Sequence, residues 1–238
     1  MMGLPIIHGF NQCSEIGVDT FAPSIFLYGC NLRCPYCMNS KIVTHKSDRS
    51  IDIEEIREYL KTDKSEWLMI SGGEPTITPI DQLKELLVEI KGMDRKIGMS
   101  TNGTNPGVLS SIIKDLSYVA MDIKAIDYND IGYKDAFTDV LCSKGILMVY
   151  KKLRFETGFS DFDYEIRTTL YPDLINASSI DFIGHMIEKD ETWVLQQFRH
   201  ANSMIEDCTN VKPYDEDEVE ELLKIAKKYS PKSYLRYV

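Results

Sequence analysis

Six apolar runs recur along the chain with helix-like stretches between them: 24–29, 67–70, 97–100, 118–123, 164–170 and 193–198. Short apolar runs of this kind read as buried strands, and strands that alternate with amphipathic helices imply parallel βα units. Thr78 and Pro79 suit the N-cap and first position of a helix whose apolar stripe is Ile80, Leu83, Leu87 and Ile90, with Gly92 ending it. Asn105 and Pro106 repeat that start before the stripe Leu109, Ile112, Ile113 and Leu116. Farther on, Asp215 and Glu218 form a capping-box pattern ahead of Val219, Leu222, Leu223 and Ala226.

Composition narrows the setting. The 238 residues are long enough to bury a sizeable core, and neither an internal repeat nor a low-complexity linker divides them. No run of about 18 apolar residues predicts a membrane span, and no secretory signal opens the chain. With 27 Lys and Arg against 37 Asp and Glu, the net charge of −10 argues against a nucleic-acid surface. A cytoplasmic protein with reduced thiols is expected. The acidic run Asp215 to Glu221 reads as a solvated helix start, where carboxylates favour the helix dipole.

Cysteines change the picture most. Cys30, Cys34 and Cys37 follow the first apolar run with the spacing CxxxCxxC. A zinc site needs a fourth Cys or His, and the nearest candidate, His45, lies eight residues past Cys37 without a paired partner. A disulfide framework is not needed in a chain of this length, and the fourth Cys followed by Pro of electron-transfer ferredoxins is absent. Three thiolates hold three corners of a four-iron cluster and leave one iron open, a catalytic arrangement. Cys13, Cys142 and Cys208 stand singly and read as small buried hydrophobes.

The run from Gly29 to Asn39, GCNLRCPYCMN, resembles the radical S-adenosylmethionine (SAM) superfamily. That resemblance implies an α/β fold, an incomplete (β/α)6 TIM-like barrel, with the open iron of a 4Fe-4S cluster chelated by the methionine part of SAM. Residues 1–238 then form one domain, with an N-terminal extension over 1–23, the barrel over 24–200 and a C-terminal helical segment over 201–238. Candidate ligands fall at strand ends, the mouth where barrel enzymes keep their sites. Ser71-Gly72-Gly73-Glu74-Pro75 is similar to the family's GGEP-like stretch, which meets the methionine amino group, so Gly72, Gly73 and Glu74 are candidates. Read without the family, Gly-Gly before Pro is a tight turn that lets backbone approach a ligand. Thr101 and Asn102 of the TNG stretch are implied near the ribose and methionine carboxylate. Ser100 stands where many relatives carry Asp, which puts a cation site there in doubt. Asp122 and Lys124 share one strand face and match the Asp-x-Lys that contacts SAM in the activases. Tyr36 holds the aromatic position beside the adenine. A surface ion pair is the alternative for Asp122 and Lys124, and core packing for Tyr36.

Two further runs, Glu165-Ile166-Arg167-Thr168-Thr169-Leu170 and Trp193-Val194-Leu195-Gln196-Gln197-Phe198-Arg199, resemble the strands of anaerobic ribonucleotide reductase activating proteins, which are glycyl-radical-enzyme activases. The resemblance places Arg167 near the methionine carboxylate and Gln197 and Phe198 near the nucleoside. A carboxylate-paired buried charge is the equal alternative for Arg167. It also implies a glycyl-radical enzyme as partner and a one-electron donor such as flavodoxin or ferredoxin, with no nucleic acid and no membrane involved. The stretch through Pro23 and the segment 128–139 are candidate docking or lid elements. Two other readings stay open: a radical enzyme acting on a small purine- or pterin-like substrate, as in 7-carboxy-7-deazaguanine synthases, and a non-catalytic iron–sulfur protein.

Overall fold

The structure is a computed structural model that describes residues 4–16, 20–44, 50–133, 136–158, 161–201 and 204–237. Eight strands form one sheet in sequence order: β1 Ile7–Ile16, β2 Thr20–Leu27, β3 Trp67–Gly72, β4 Lys96–Thr101, β5 Tyr118–Asp122, β6 Asp163–Leu170, β7 Thr192–Gln197 and β8 Tyr234–Tyr237. β1 pairs antiparallel with β2, and every later pair is parallel. Strands β2 to β7 are the six apolar runs of the sequence, carried forward by right-handed βα units into a partial barrel. The sheet exceeds the expectation at both edges: the 1–23 extension supplies β1, and the 201–238 segment supplies β8 besides its helix.

Helices α1 Ser40–Thr44, α2 Ile53–Leu60, α3 Ile80–Lys91, α4 Pro106–Ile112, α5 Ala136–Glu156, α6 Ala177–Gly184 and α7 Glu216–Tyr229 fill the connections. Their apolar stripes bury against the outer sheet face: Leu83, Leu86, Leu87 and Ile90 from α3, Leu109 and Ile112 from α4, and Val219, Leu222 and Ala226 from α7. Each buried Leu, Ile or Val among them contributes about 1.5–3 kcal/mol by leaving water, and Ala226 less. The capping box of Asp215 and Glu218 opens α7 as expected, and Asp52 with Glu55 makes a second one at α2.

The start of α3 differs from expectation. Residues Pro75–Ile77 form a 3-10 turn closed by the Thr78 N–H on the Pro75 carbonyl, so Thr78 ends that turn and Pro79 takes the N-cap. Gly92 ends α3 in a right-handed conformation, and the left-handed residue comes two positions later, at Asp94 with φ 57°. Asn105 does precede α4, but its side chain donates to the Thr76 carbonyl rather than capping the helix.

A second, smaller core of Ala22, Met69, Tyr118 and Ala120, with Trp67 against it, plugs the barrel interior. Gly98 makes room for it, because an added Cβ would sit 2.1 Å from the Met69 sulfur. With the interior plugged from below, the open volume lies at the C-terminal mouth. Of the candidate lid elements, residues 1–3, 17–19 and 134–135 lie outside the described residues. Tyr128–Ile131 is a 3-10 turn with Tyr128 and Ile131 buried. Among the described residues no helix is long and apolar enough to cross a membrane.

Candidate active site

The chain leaves β2 through Gly29, at φ +92°, and enters the cysteine loop. That loop is bound to the end of β3 by main-chain hydrogen bonds, Gly73 N–H to Leu27 O at 3.0 Å and Glu74 N–H to Gly29 O at 2.8 Å. Asn39 Nδ2 adds a bond to the Gly72 carbonyl at 3.0 Å. The glycines of the β3 end are required by this contact: a Cβ on Gly73 would lie 1.7 Å from the Gly29 oxygen, and Gly72 has φ +110°. Gly73 thus approaches the cysteine loop's own backbone, and Gly72 the backbone of Phe26 and Leu27 at the end of β2. Arg33 draws the loop together, its Nη1 donating to the Cys30 and Leu32 carbonyls at 2.9 and 2.8 Å.

One cavity of about 580 Å³ collects Cys30, Cys34, Cys37, Tyr36, Gly72, Gly73, Glu74, Thr101, Asn102, Asp122, Lys124, Arg167, Gln197 and Phe198 in its walls. Every residue singled out from the sequence as a site candidate is therefore brought to the same place. Its volume lies within the roughly 300–1,000 Å³ typical of small-ligand pockets.

Several candidates spend their side chains on one another. The Glu74 carboxylate is buried and accepts Thr76 N–H (3.0 Å), Thr76 Oγ1 (2.7 Å), Thr101 Oγ1 (2.6 Å) and Asn102 N–H (2.6 Å). Burial nonetheless raises its pKa, against the pull of those donors. Asn102 Oδ1 accepts from Thr104 N–H and Oγ1, while its Nδ2 donates to Asn31 Oδ1 at 3.0 Å and stands 4.0 Å from Cys30 Sγ. Glu74, Thr101 and Asn102 are consequently struts that lock the ends of β3 and β4 to the cysteine loop.

Lys124 Nζ lies 2.9 Å from Asp122 Oδ2, a partly buried pair in the cavity wall rather than on the surface. Burial works against the ammonium charge, and Asp122 together with Tyr36 and Cys34 outweighs it, holding the Lys124 pKa well above the ordinary value. The Tyr36 ring stacks against Tyr171 with centroids 5.0 Å apart, and Tyr171 meets Phe198 edge-on at 5.0 Å. The buried Tyr36 hydroxyl has no hydrogen-bond partner among the described residues. Gln197 Nε2 donates to the Tyr214 carbonyl at 3.0 Å. Arg167 makes the carboxylate pair, its Nε 2.5 Å from Glu165 Oε1, and it also lines the cavity. Ser100 lines the cavity too.

Arg236 and Tyr237 of β8 complete the wall and were not anticipated. The available signal was the alternation Tyr-Leu-Arg-Tyr at 234–237 behind a helix and a proline. Of the single cysteines, Cys208 is buried 3.5 Å from the Tyr171 hydroxyl, whereas Cys142 is exposed on α5, against expectation. Cys13 lies in β1, but its side chain is outside the described residues, as is His45.

The donor set fits a polynuclear cluster. Among the described residues no three His, Cys, Asp or Glu side chains converge closely enough to share a single metal ion, whereas a cluster takes one thiolate per iron. Burial pushes the Cys30 thiol up to about 12 and the Cys34 thiol up to about 11, with the Lys124 ammonium pulling the other way. Both groups are therefore protonated at neutral pH in metal-free protein, and metal must displace their protons. Alkylation of metal-free protein by iodoacetamide is expected to label exposed Cys142 first. Labelling of Cys30 and Cys34 should climb about tenfold per pH unit from 7 to 10, since only the thiolate reacts. Mass spectrometry of the peptides checks this; a plateau near pH 9 for Cys30 would contradict the burial argument.

A partial parallel barrel gathers three thiols and a charged pair around one cavity at its C-terminal mouth, the place where barrel enzymes keep their sites. Residues 24–156 match the family model of the Radical SAM superfamily, more than half of the chain, and the chain belongs to that superfamily of enzymes. A Methanocaldococcus jannaschii protein provisionally named a glycyl-radical enzyme activating enzyme is 32% identical over 255 aligned residues, 98% of this chain and 96% of that one. The pyruvate formate-lyase-activating enzyme of Clostridium pasteurianum is 30% identical, covering 87% of this chain and 78% of its own. A 7-carboxy-7-deazaguanine synthase of Haemophilus influenzae matches only 51% of the chain, at 29% identity. In fold, coproporphyrinogen III oxidase (HemN) of Escherichia coli superposes with a TM-score of 0.56 over 86% of this chain and 51% of its own, at 14% identity.

Proposed function

We propose that this protein is a glycyl-radical-enzyme activase, with Cys30, Cys34 and Cys37 holding a 4Fe-4S cluster and the cavity beside them binding SAM. The observation that carries this reading is the sharing of one cavity by the three thiols and the Asp122–Lys124 pair, in a chain that two relatives named for such activation match over 87% or more of its length. A cluster held by Cys30, Cys34 and Cys37 would, once reduced, supply one electron to the SAM sulfonium, whose C5′–S bond would break to give methionine and a 5′-deoxyadenosyl radical; that radical would take hydrogen from a glycine Cα of the partner, leaving 5′-deoxyadenosine and a glycyl radical. A one-electron donor such as flavodoxin or ferredoxin serves the reduction, and an anaerobic ribonucleotide reductase-like enzyme is the proposed partner.

The residues of this chain bind, orient and exclude water. Lys124 pairs with the methionine carboxylate and Asp122 with its amino group, so the pair between the two side chains is exchanged for two pairs with a zwitterion. The Gly72–Gly73–Glu74 backbone shapes the rim next to the cluster loop, while the Glu74, Thr101 and Asn102 side chains keep that rim rigid. Tyr36 and Phe198, joined through Tyr171, offer the apolar surface for the adenine. Such rigidity serves a reaction in which one C–H bond must be held against one carbon.

The decisive assay is anaerobic: reconstitute and reduce the protein, add SAM, and measure 5′-deoxyadenosine and the electron paramagnetic resonance signal of a candidate partner. Deoxyadenosine together with a glycyl radical is expected. No deoxyadenosine under any condition would sink the proposal; deoxyadenosine formed only with a purine- or pterin-like substrate would replace the protein partner by a small molecule. Lys124→Ala should keep the visible absorption of the cluster and weaken SAM binding by about 10- to 100-fold, the worth of a charged hydrogen bond. Unchanged affinity removes Lys124 from the site.

A further inference from the structure

Strand β8 turns two side chains, Tyr234 and Arg236, onto one group. Arg236 grips the Glu165 carboxylate with both arms, Nη1 2.7 Å from Oε1 and Nη2 3.2 Å from Oε2. Its Nη2 also donates to the Tyr234 hydroxyl at 2.5 Å, and that hydroxyl donates to Glu165 Oε2 at 3.3 Å. On the other side Arg167 donates its Nε to Oε1. Glu165 is thus held between guanidiniums of β6 and β8, two strands separated in the sheet by β7. Burial opposes its charge, and the two arginines overcome that, keeping its pKa below the ordinary value.

Arg167 and Arg236 both line the cavity, and Glu165 stands behind them. If the trio served only to join β8 to the sheet, apolar side chains of similar volume would do as well or better, since buried ion pairs repay their desolvation poorly. What apolar groups cannot do is set the plane of a guanidinium at a ligand-facing wall. Nε of Arg167 is the atom tied to Glu165, so the rotamer of Glu165 fixes that plane, and the bidentate grip of Arg236 fixes the rotamer.

We infer that Arg236 is a positioning residue: through Glu165 it orients Arg167 toward the carboxylate of the bound SAM. The ligand in this inference rests on the proposed function; the relay of Arg236, Glu165 and Arg167 is independent of it. The test measures the SAM dissociation constant of the reconstituted protein by equilibrium dialysis, with cluster absorption and melting temperature recorded in parallel. Arg236→Gln is expected to retain the cluster and weaken SAM about tenfold, with Arg236→Lys recovering part of the loss. Glu165→Gln should weaken SAM similarly, and the double variant should be no weaker than Glu165→Gln alone, as required of residues acting in series. Tyr234→Phe removes a single hydroxyl from the same carboxylate; should Arg236→Gln fail to fold, a two- to threefold rise of the constant in this milder variant, on the order of a weak hydrogen bond, carries the test. A lowered melting temperature with unchanged SAM affinity overturns the inference, and so do losses that multiply in the double variant. Wild-type protein that loads its cluster and binds no SAM takes the proposed function down as well, whereas wild-type binding with indifferent variants removes only the relay.

Discussion

Cys34→Ala protein is expected to come through anaerobic reconstitution without the visible iron–sulfur absorption and to form 5′-deoxyadenosine at background level, a fall of at least about a thousandfold for a group that works as part of a unit. In the proposed cluster each cysteine of the loop would hold its own iron, and two anchors would leave a second iron open to solvent and loss. Cys34 is the most buried of the three thiols and carries the turn bonded from the Cys37 N–H to its own carbonyl. Alanine keeps that turn, so the loss is one of coordination, not of fold. Cys30→Ala and Cys37→Ala should behave alike. Cys142→Ala, on the exposed face of α5, should match wild type in both measurements. A full chromophore in Cys34→Ala would show that the ligand set has been misassigned.

Gly73→Ala should give the largest effect of any change that leaves the chemistry untouched. The methyl would lie 1.7 Å from the Gly29 carbonyl oxygen and 2.5 Å from its carbon, both main-chain atoms that cannot swing aside. Separating the two segments would break the Glu74 N–H bond to Gly29 and the Gly73 N–H bond to Leu27. It would also draw Glu74 away from its donors on β4. A cost of about 4 kcal/mol or more is expected, in the range reserved for severe lesions. Gly107 is the comparison: nothing lies within 4 Å of a Cβ there, and it is helical, so Gly107→Ala should be neutral or stabilising by up to about 1 kcal/mol. Urea midpoints of the two variants check both numbers, and equal midpoints would contradict the junction described for β3.

The strands β2 to β7 were legible because parallel strands covered on both faces leave continuous apolar runs. The edges were not. β1, IHGFNQCSEI, alternates with polar residues and glycine, and β8 spans only Tyr234–Tyr237, where the alternation is too brief to mark a strand by itself. The site was legible as a set of positions, since a barrel brings strand ends together whatever their side chains do. What each polar group bonds was not legible. Thr101 and Glu74 stand 27 residues apart and Asn31 and Thr104 73 apart, yet both pairs are hydrogen-bonded. A motif shows that Glu74 matters; only the folded chain shows that its oxygens face protein donors. Arg167 was ambiguous between ligand and ion pair for the same reason, and the structure gives it the ion pair while leaving it in the wall.

The bonds that shape the cysteine loop run mainly between main-chain groups and to the Arg33 guanidinium; among the described residues the one loop thiol that joins them is Cys30, which accepts the Leu32 N–H at 3.4 Å. In small zinc domains the metal's binding energy is the folding energy, and stripping the metal unfolds the chain. In the proposed arrangement the scaffold holds together independently of the metal. Exposure to oxygen that dismantles the inorganic core should therefore be an injury to the cargo alone, repairable by supplying iron and sulfide to a chain that never lost its shape.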